Sequence, residues 1–136
     1  MRIKILGSGT STGVPVPGCE CTVCGSSDTK NHRLRSSIAI EFDRKDQPQP
    51  TTFLIDTATD LRTQVLRAGI KRIDAVFFTH THADHIFGID DLRCFNFSMK
   101  QPIPLYADPI HAAELRRIFS YIFTPPVNYQ GGALPQ

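Results

Sequence analysis

The apolar positions of this chain fall mostly into short runs at strand spacing, bounded by polar turns, with helical spacing between and after them. Arg2-Ile3-Lys4-Ile5-Leu6-Gly7 opens the pattern, and further runs near 36–43, 51–56, 74–79 and 103–107 complete five predicted strands. Asp43 to Pro50 is polar and contains prolines, which predicts a hairpin connection between the second and third strands. A helix is predicted from about Asp60 to Ala68, with Thr59 as N-cap, Gly69 ending it, and Leu61, Val65 and Leu66 facing inward. Asp108-Pro109 places a cap before a proline, the preferred order at a helix start, and Leu115, Ile118, Phe119 and Ile122 extend an apolar face beyond it. The stretch from Phe123 to Gln136 reads as a loop approaching another strand, and no repeat or low-complexity segment interrupts the pattern.

Composition narrows the class. The 136 residues are of single-domain length, 40% are hydrophobic, and no apolar run approaches the ~20 residues that span a bilayer, so a soluble globular chain is expected. No secretory segment opens the sequence, which makes a cytoplasmic location the expectation. The formal net charge of +2 comes from dispersed basic residues, so charge does not point to nucleic acid. Lys30, His32, Arg33 and Arg35 form the one local basic cluster, read first as a solvated loop.

The chemistry concentrates in His80-Thr81-His82-Ala83-Asp84-His85, directly after the apolar run Ala75 to Phe78. Imidazole and carboxylate are ligands for zinc and also serve manganese and iron. His80 and His82 are two residues apart and point the same way in an extended segment, so they can chelate one ion together. Asp84 and His85 are adjacent, and a turn into a helix aims them at a second position. The pattern therefore suits two metals side by side, an arrangement used to hold both oxygens of a displacement. An internal, mixed cluster bounded by a strand and by Ile86-Phe87-Gly88 does not read as a tag or a chance surface tract.

Cys19, Cys21 and Cys24 lie in a Gly- and Pro-containing loop, at separations that let three thiolates face one tetrahedral ion. A structural zinc needs a fourth donor. His32 is the nearest alternative, whereas Cys94, between Leu92 and Phe95 on the helix predicted after the cluster, reads as a small buried hydrophobe. Three clustered cysteines leave one unpaired, so metal or free thiols are favoured over a disulfide.

The His-x-His-x-Asp-His pattern resembles the signature of the metallo-β-lactamase superfamily. Gly7-Ser8-Gly9-Thr10-Ser11-Thr12-Gly13, the cysteine triplet, Arg33 to Ser37, Phe53 to Thr57 and Gly88 to Arg93 follow in the order used by its phosphoribosyl cyclic phosphodiesterase branch. The resemblance implies an α/β fold, a four-layer αββα sandwich of which this chain would supply roughly the first half. Residues 1–136 would then be an incomplete N-terminal portion of a longer metallo-hydrolase domain, weakly active or inactive alone. One sheet face would lack cover and expose apolar side chains unless another chain, such as a second copy in a homodimer, covered it.

By the same resemblance, His80 and His82 would bind one Zn or Mn ion, Asp84 and His85 a second, and Asp84 would also carry a proton. A metal-bridging hydroxide would attack the phosphorus of a small, cyclic phosphodiester. Asp56 would stand behind the ligands and fix one of them; its competing reading is a turn carboxylate capping the helix that follows. One structural zinc would sit at the cysteines, its last ligand a histidine from further along the chain. Arg93 and Asn96, with Asp90, could line the substrate cleft, although pairing on a helix surface and capping account for them more simply. His111, in the first turn of its helix, reads as exposed. Ser8, Thr10 and Ser11 are explained by turn formation. The alternatives left open are a transfer-RNA 3′-processing nuclease, a relative of the pyrroloquinoline-quinone biosynthesis protein, and a non-catalytic zinc-binding interaction module.

Overall fold

The computed structural model describes residues 1–46 and 48–124. Five strands, β1 (Arg2–Gly7), β2 (Ser37–Phe42), β3 (Thr51–Ile55), β4 (Ala75–Phe77) and β5 (Leu105–Tyr106), form one sheet in sequence order. The first three pair antiparallel and the last two join in parallel. The change follows from the connections: a hairpin returns β2 to β3, whereas helices bridge β3 to β4 and β4 to β5, and a parallel neighbour needs such a crossover. Of the loop expected over Phe123 to Gln136, Phe123 instead ends the last helix and residues 125–136 fall outside the described residues.

Helices α1 (Leu61–Ala68), α2 (Ala83–Ile86), α3 (Leu92–Met99), α4 (Pro109–Ile118) and α5 (Ser120–Phe123) accompany the sheet. Leu54 and Val76 from the sheet share a core with Leu61 and Val65, Ile86, Ile89, Leu92, Leu115, Phe119 and Ile122. The inward side of α1 differs from the expected stripe. Leu61, Gln64 and Val65 are buried, while Leu66 is exposed, because positions i, i+3 and i+4 share a helix face and i+5 leaves it. Asp60, rather than Thr59, stands at the N-cap and makes no side-chain cap bond; Thr59 Oγ1 donates to Ala83 O instead. The left-handed Gly69 ends this helix as expected, at φ 67°. On α4 the Asp108 carboxylate accepts from the His111 N–H, and the helix ends at Phe119 before α5 begins.

The opposite sheet face is apolar and open among the described residues. Cross-strand register puts Ile3 beside Ile40, Ile5 beside Ile38, Ile40 beside Phe53, Ile55 beside Phe77, and Phe77 beside Tyr106. Phe42, Phe53, Phe77 and Tyr106 continue as an aromatic ladder with centroids 5.6, 5.8 and 4.9 Å apart. Ile3 and Ile5 remain 59% and 63% exposed.

Candidate metal centre

The last residue pair of β4 and the loop after it determine where the cluster sits. Phe78 is buried and its N–H donates to Tyr106 O, so the chain leaves the sheet only at Thr79. His82 is then the N-cap of α2, whose single turn carries Asp84 and His85. This is the strand-to-helix turn that the sequence called for. The His80 ring lies 4.6 Å from that of His82 and 4.0 Å from that of His85, centroid to centroid. Asp84 Oδ2 is 3.3 Å from His85 Nε2.

Asp56 organises this group from behind. It is 4% exposed, immediately after β3, with φ 60°, a left-handed conformation that Asp tolerates better than most residues. Its Oδ1 accepts from the Thr79 N–H at 2.8 Å, and its Oδ2 accepts from Thr79 Oγ1 at 2.7 Å and meets His85 Nδ1 at 2.8 Å. Thr79 Oγ1 in turn lies 2.9 Å from His80 Nδ1. The Nδ1 atoms of His80 and His85 are thereby engaged, which leaves their Nε2 atoms for a ligand role. The Asp56 carboxylate therefore faces the cluster and makes no cap bond to α1. Thr79, which the sequence reading passed over, is the link between Asp56 and His80. A threonine before a histidine carries no signal in one sequence that would have singled it out. Burial, and after it the neighbouring His85 and His82 rings, push the His80 imidazole below its usual range and favour its neutral, metal-competent form.

The residues after β3 fasten α2 to this frame. The Thr57 N–H donates to His85 O at 2.8 Å, Thr57 Oγ1 donates to Ile86 O, and the Gly88 N–H donates to Thr57 O. Gly88 is pressed against Ala58 O, where a Cβ has no room and would also lie 2.7 Å from Leu61 Cβ.

The cysteine triplet forms a second potential centre. Among the described residues, Cys19, Cys21 and Cys24 are the one set of three or more donors whose ligand atoms all lie within 4.8 Å of one another. The histidine cluster is not gathered so tightly. The Cys24 N–H aimed at Cys21 Sγ, with the Cys19 thiol beside it, brings Cys21 down to about 7. The Val16 N–H favours the thiolate of Cys24, yet the Cys19 thiol and burial outweigh it and leave Cys24 raised.

Several other expectations are corrected. His32 is exposed, with Nε2 3.3 Å from Ser26 O, and does not join the cysteine group. Cys94 is exposed rather than buried, because it lies off the buried Leu92 and Asn96 side of α3. Asn96 is fully buried and neither amide atom has a partner among the described residues, so it is not paired on the helix surface. Arg93 is exposed. Arg35 is not part of a solvated basic loop: its guanidinium and N–H both reach the Asp60 carboxylate at 2.9 Å. His111 is half-buried, with Nδ1 3.4 Å from Thr81 Oγ1.

Comparison with known proteins agrees with this architecture. A crystal structure of a diphosphatase from the PhnP family superposes with a TM-score of 0.81 and 47% identity, covering 89% of this chain and 46% of that one. Zinc-bound PqqB from Methylobacterium extorquens matches with a TM-score of 0.68 and 28% identity, over 86% of this chain and 43% of its own. An octanoyltransferase of Porphyromonas gingivalis is 42% identical over 123 residues, 90% of this chain and 24% of that protein. The chain thus spans a quarter of that curated relative and under half of each solved one. Residues 51–133 match the model of the beta-lactamase superfamily domain. With its mixed five-stranded sheet and its histidine turn at the end of β4, the chain belongs to the beta-lactamase superfamily.

Proposed function

We propose that this chain carries the histidine-rich half of a metal-dependent hydrolase centre that acts on phosphorus–oxygen bonds, with a small phosphodiester as the leading substrate. The observation that carries the reading is the orientation of His80 and His85. Their Nδ1 atoms are occupied from behind by Thr79 and Asp56, the arrangement that fixes tautomer and ring direction in metal-binding histidines. The donor set fits divalent zinc or manganese: imidazole nitrogen and carboxylate oxygen, with no thiolate among them.

His80 and His82 would hold one ion, Asp84 and His85 a second. Four side chains do not fill the coordination of two ions, so the remaining positions fall to water, substrate or further donors. The chemistry that such ions supply is polarisation of phosphoryl oxygens and activation of water. Asp84, whose Oδ2 lies 3.3 Å from His85 Nε2, would carry a proton as well as bind. Asp56 keeps His85 oriented while itself remaining behind it. Cys19, Cys21 and Cys24 would hold one structural zinc at a separate position. The diphosphatase among the similar structures supports a substrate containing phosphate, and a diphosphate is the next compound to assay.

Metal uptake and hydrolysis of bis(p-nitrophenyl) phosphate by the 136-residue chain test the proposal together. Wild-type protein is expected to bind Mn²⁺ and Zn²⁺ at the cluster, and His80→Ala with His82→Ala to abolish Mn²⁺ uptake and any turnover while leaving thiolate-bound Co²⁺ unchanged. Equal Mn²⁺ uptake in wild-type and double variant would remove the assignment.

A further inference from the structure

The loop that carries His80 and His82 is gripped on two sides. On one side Asp56 takes the N–H and hydroxyl of Thr79. The other side comes from a different element altogether. Thr81 lies between the two histidines, and in an extended segment its side chain points away from theirs. It is half-buried, and Thr81 Oγ1 lies 3.4 Å from His111 Nδ1 in the first turn of α4. That turn is itself fixed: the Asp108 carboxylate accepts from the His111 N–H at 2.9 Å, and its second oxygen lies 3.6 Å from His111 Nε2. A proton on Nε2 is favoured by that carboxylate, which leaves Nδ1 to accept from the Thr81 hydroxyl.

We propose that His111 is a positioning residue for the His80 and His82 pair, acting through Thr81. The inference rests on the reading of His80 and His82 as metal ligands. Without the α4 contact, the loop is tied at Thr79 and at His82 but free at its midpoint, between the two rings that must converge on one ion. Among the described residues the ring contacts of His80 and His82 do not include His111, so the loss belongs to the geometry of the pair.

Mn²⁺, which thiolates bind poorly, is the probe of the cluster, read by titration calorimetry. Hydrogen exchange over residues 79–83 in the metal-free protein is the second readout. His111→Ala and Thr81→Val are each expected to weaken Mn²⁺ binding about tenfold, the low end for groups behind a ligand, and to speed exchange in the loop. His111→Asn, whose amide replaces Nδ1, restores both; His111→Gln, which replaces Nε2, restores neither. The double variant Thr81→Val with His111→Ala loses no more than either single change. Wild-type affinity and exchange in His111→Ala, or losses that multiply in the double variant, would overturn the proposal. Should wild-type protein take up no Mn²⁺, the ligand reading fails, and the exchange comparison alone decides the role of His111.

Discussion

Asp56 shows how much of this site depends on one buried carboxylate. It satisfies two donors of Thr79 and orients His85, and it does so from a left-handed backbone position that also suits asparagine. Asp56→Asn therefore retains the backbone and most of the shape while placing an N–H₂ or a neutral oxygen against His85 Nδ1. The variant is expected to fold, as read by circular dichroism, and to bind Mn²⁺ about 10- to 100-fold more weakly. Unchanged affinity would show that His85 is oriented by something else. The histidine cluster was legible from the sequence because its possible donors are near neighbours in six residues. Asp56 was legible only as one of two readings, since its partners Thr79 and His85 lie 23 and 29 residues away. Thr79 and the Thr81–His111 contact left no mark in the sequence, because a hydroxyl reads the same whether it meets water or an imidazole.

At the scale of elements, α2 is too short to hold itself in place. One turn of four residues has almost no intrinsic stability, so its position comes from the segment after β3. Thr57 accepts from Gly88 and donates to His85 O and Ile86 O, and Gly88 allows the close approach to Ala58 that these bonds require. Gly88→Ala forces its Cβ onto Ala58 O and Leu61. It is expected to destabilise the chain by about 2–4 kcal/mol, the range of severe core disruption, measurable as a lowered urea midpoint. A midpoint within error of wild type would mean that the α2 junction yields easily. The five strands and the two longer predicted helices were readable because their periodicities are local. The inward side of α1 was misjudged by hydrophobicity alone: buried Gln64 replaces Leu66, since its amide N–H₂ reaches Arg35 O at 2.7 Å while the helix phase turns Leu66 outward.

At the scale of the molecule, the sheet is covered on one face by helices and apolar on the other. The aromatic ladder from Phe42 to Tyr106 and the isoleucines of β1 and β2 form a contiguous patch of the kind that drives association in water. Ile3→Thr with Ile5→Thr keeps β-branched residues in β1 and removes the two most exposed side chains of this patch. The 136-residue variant is expected to bind less anilinonaphthalene sulfonate and to show less concentration-dependent light scattering than wild type, with its far-ultraviolet spectrum unchanged. Scattering that stays the same would place the sticky surface elsewhere.

The strand and helix periods, the turn after β4 and the chemical identity of both donor clusters are each encoded within a few adjacent residues, and so could be read along the chain. An open apolar face was also expected, but from the resemblance to a four-layer sandwich and not from any local pattern of residues. Which donors receive support, and from where, depends on how the elements pack. Asp56 reaches His85 across 29 residues and Thr81 meets His111 across 30. Such pairings follow from the packing of β3, β4 and α4 around one core, and no local pattern of residues carries them.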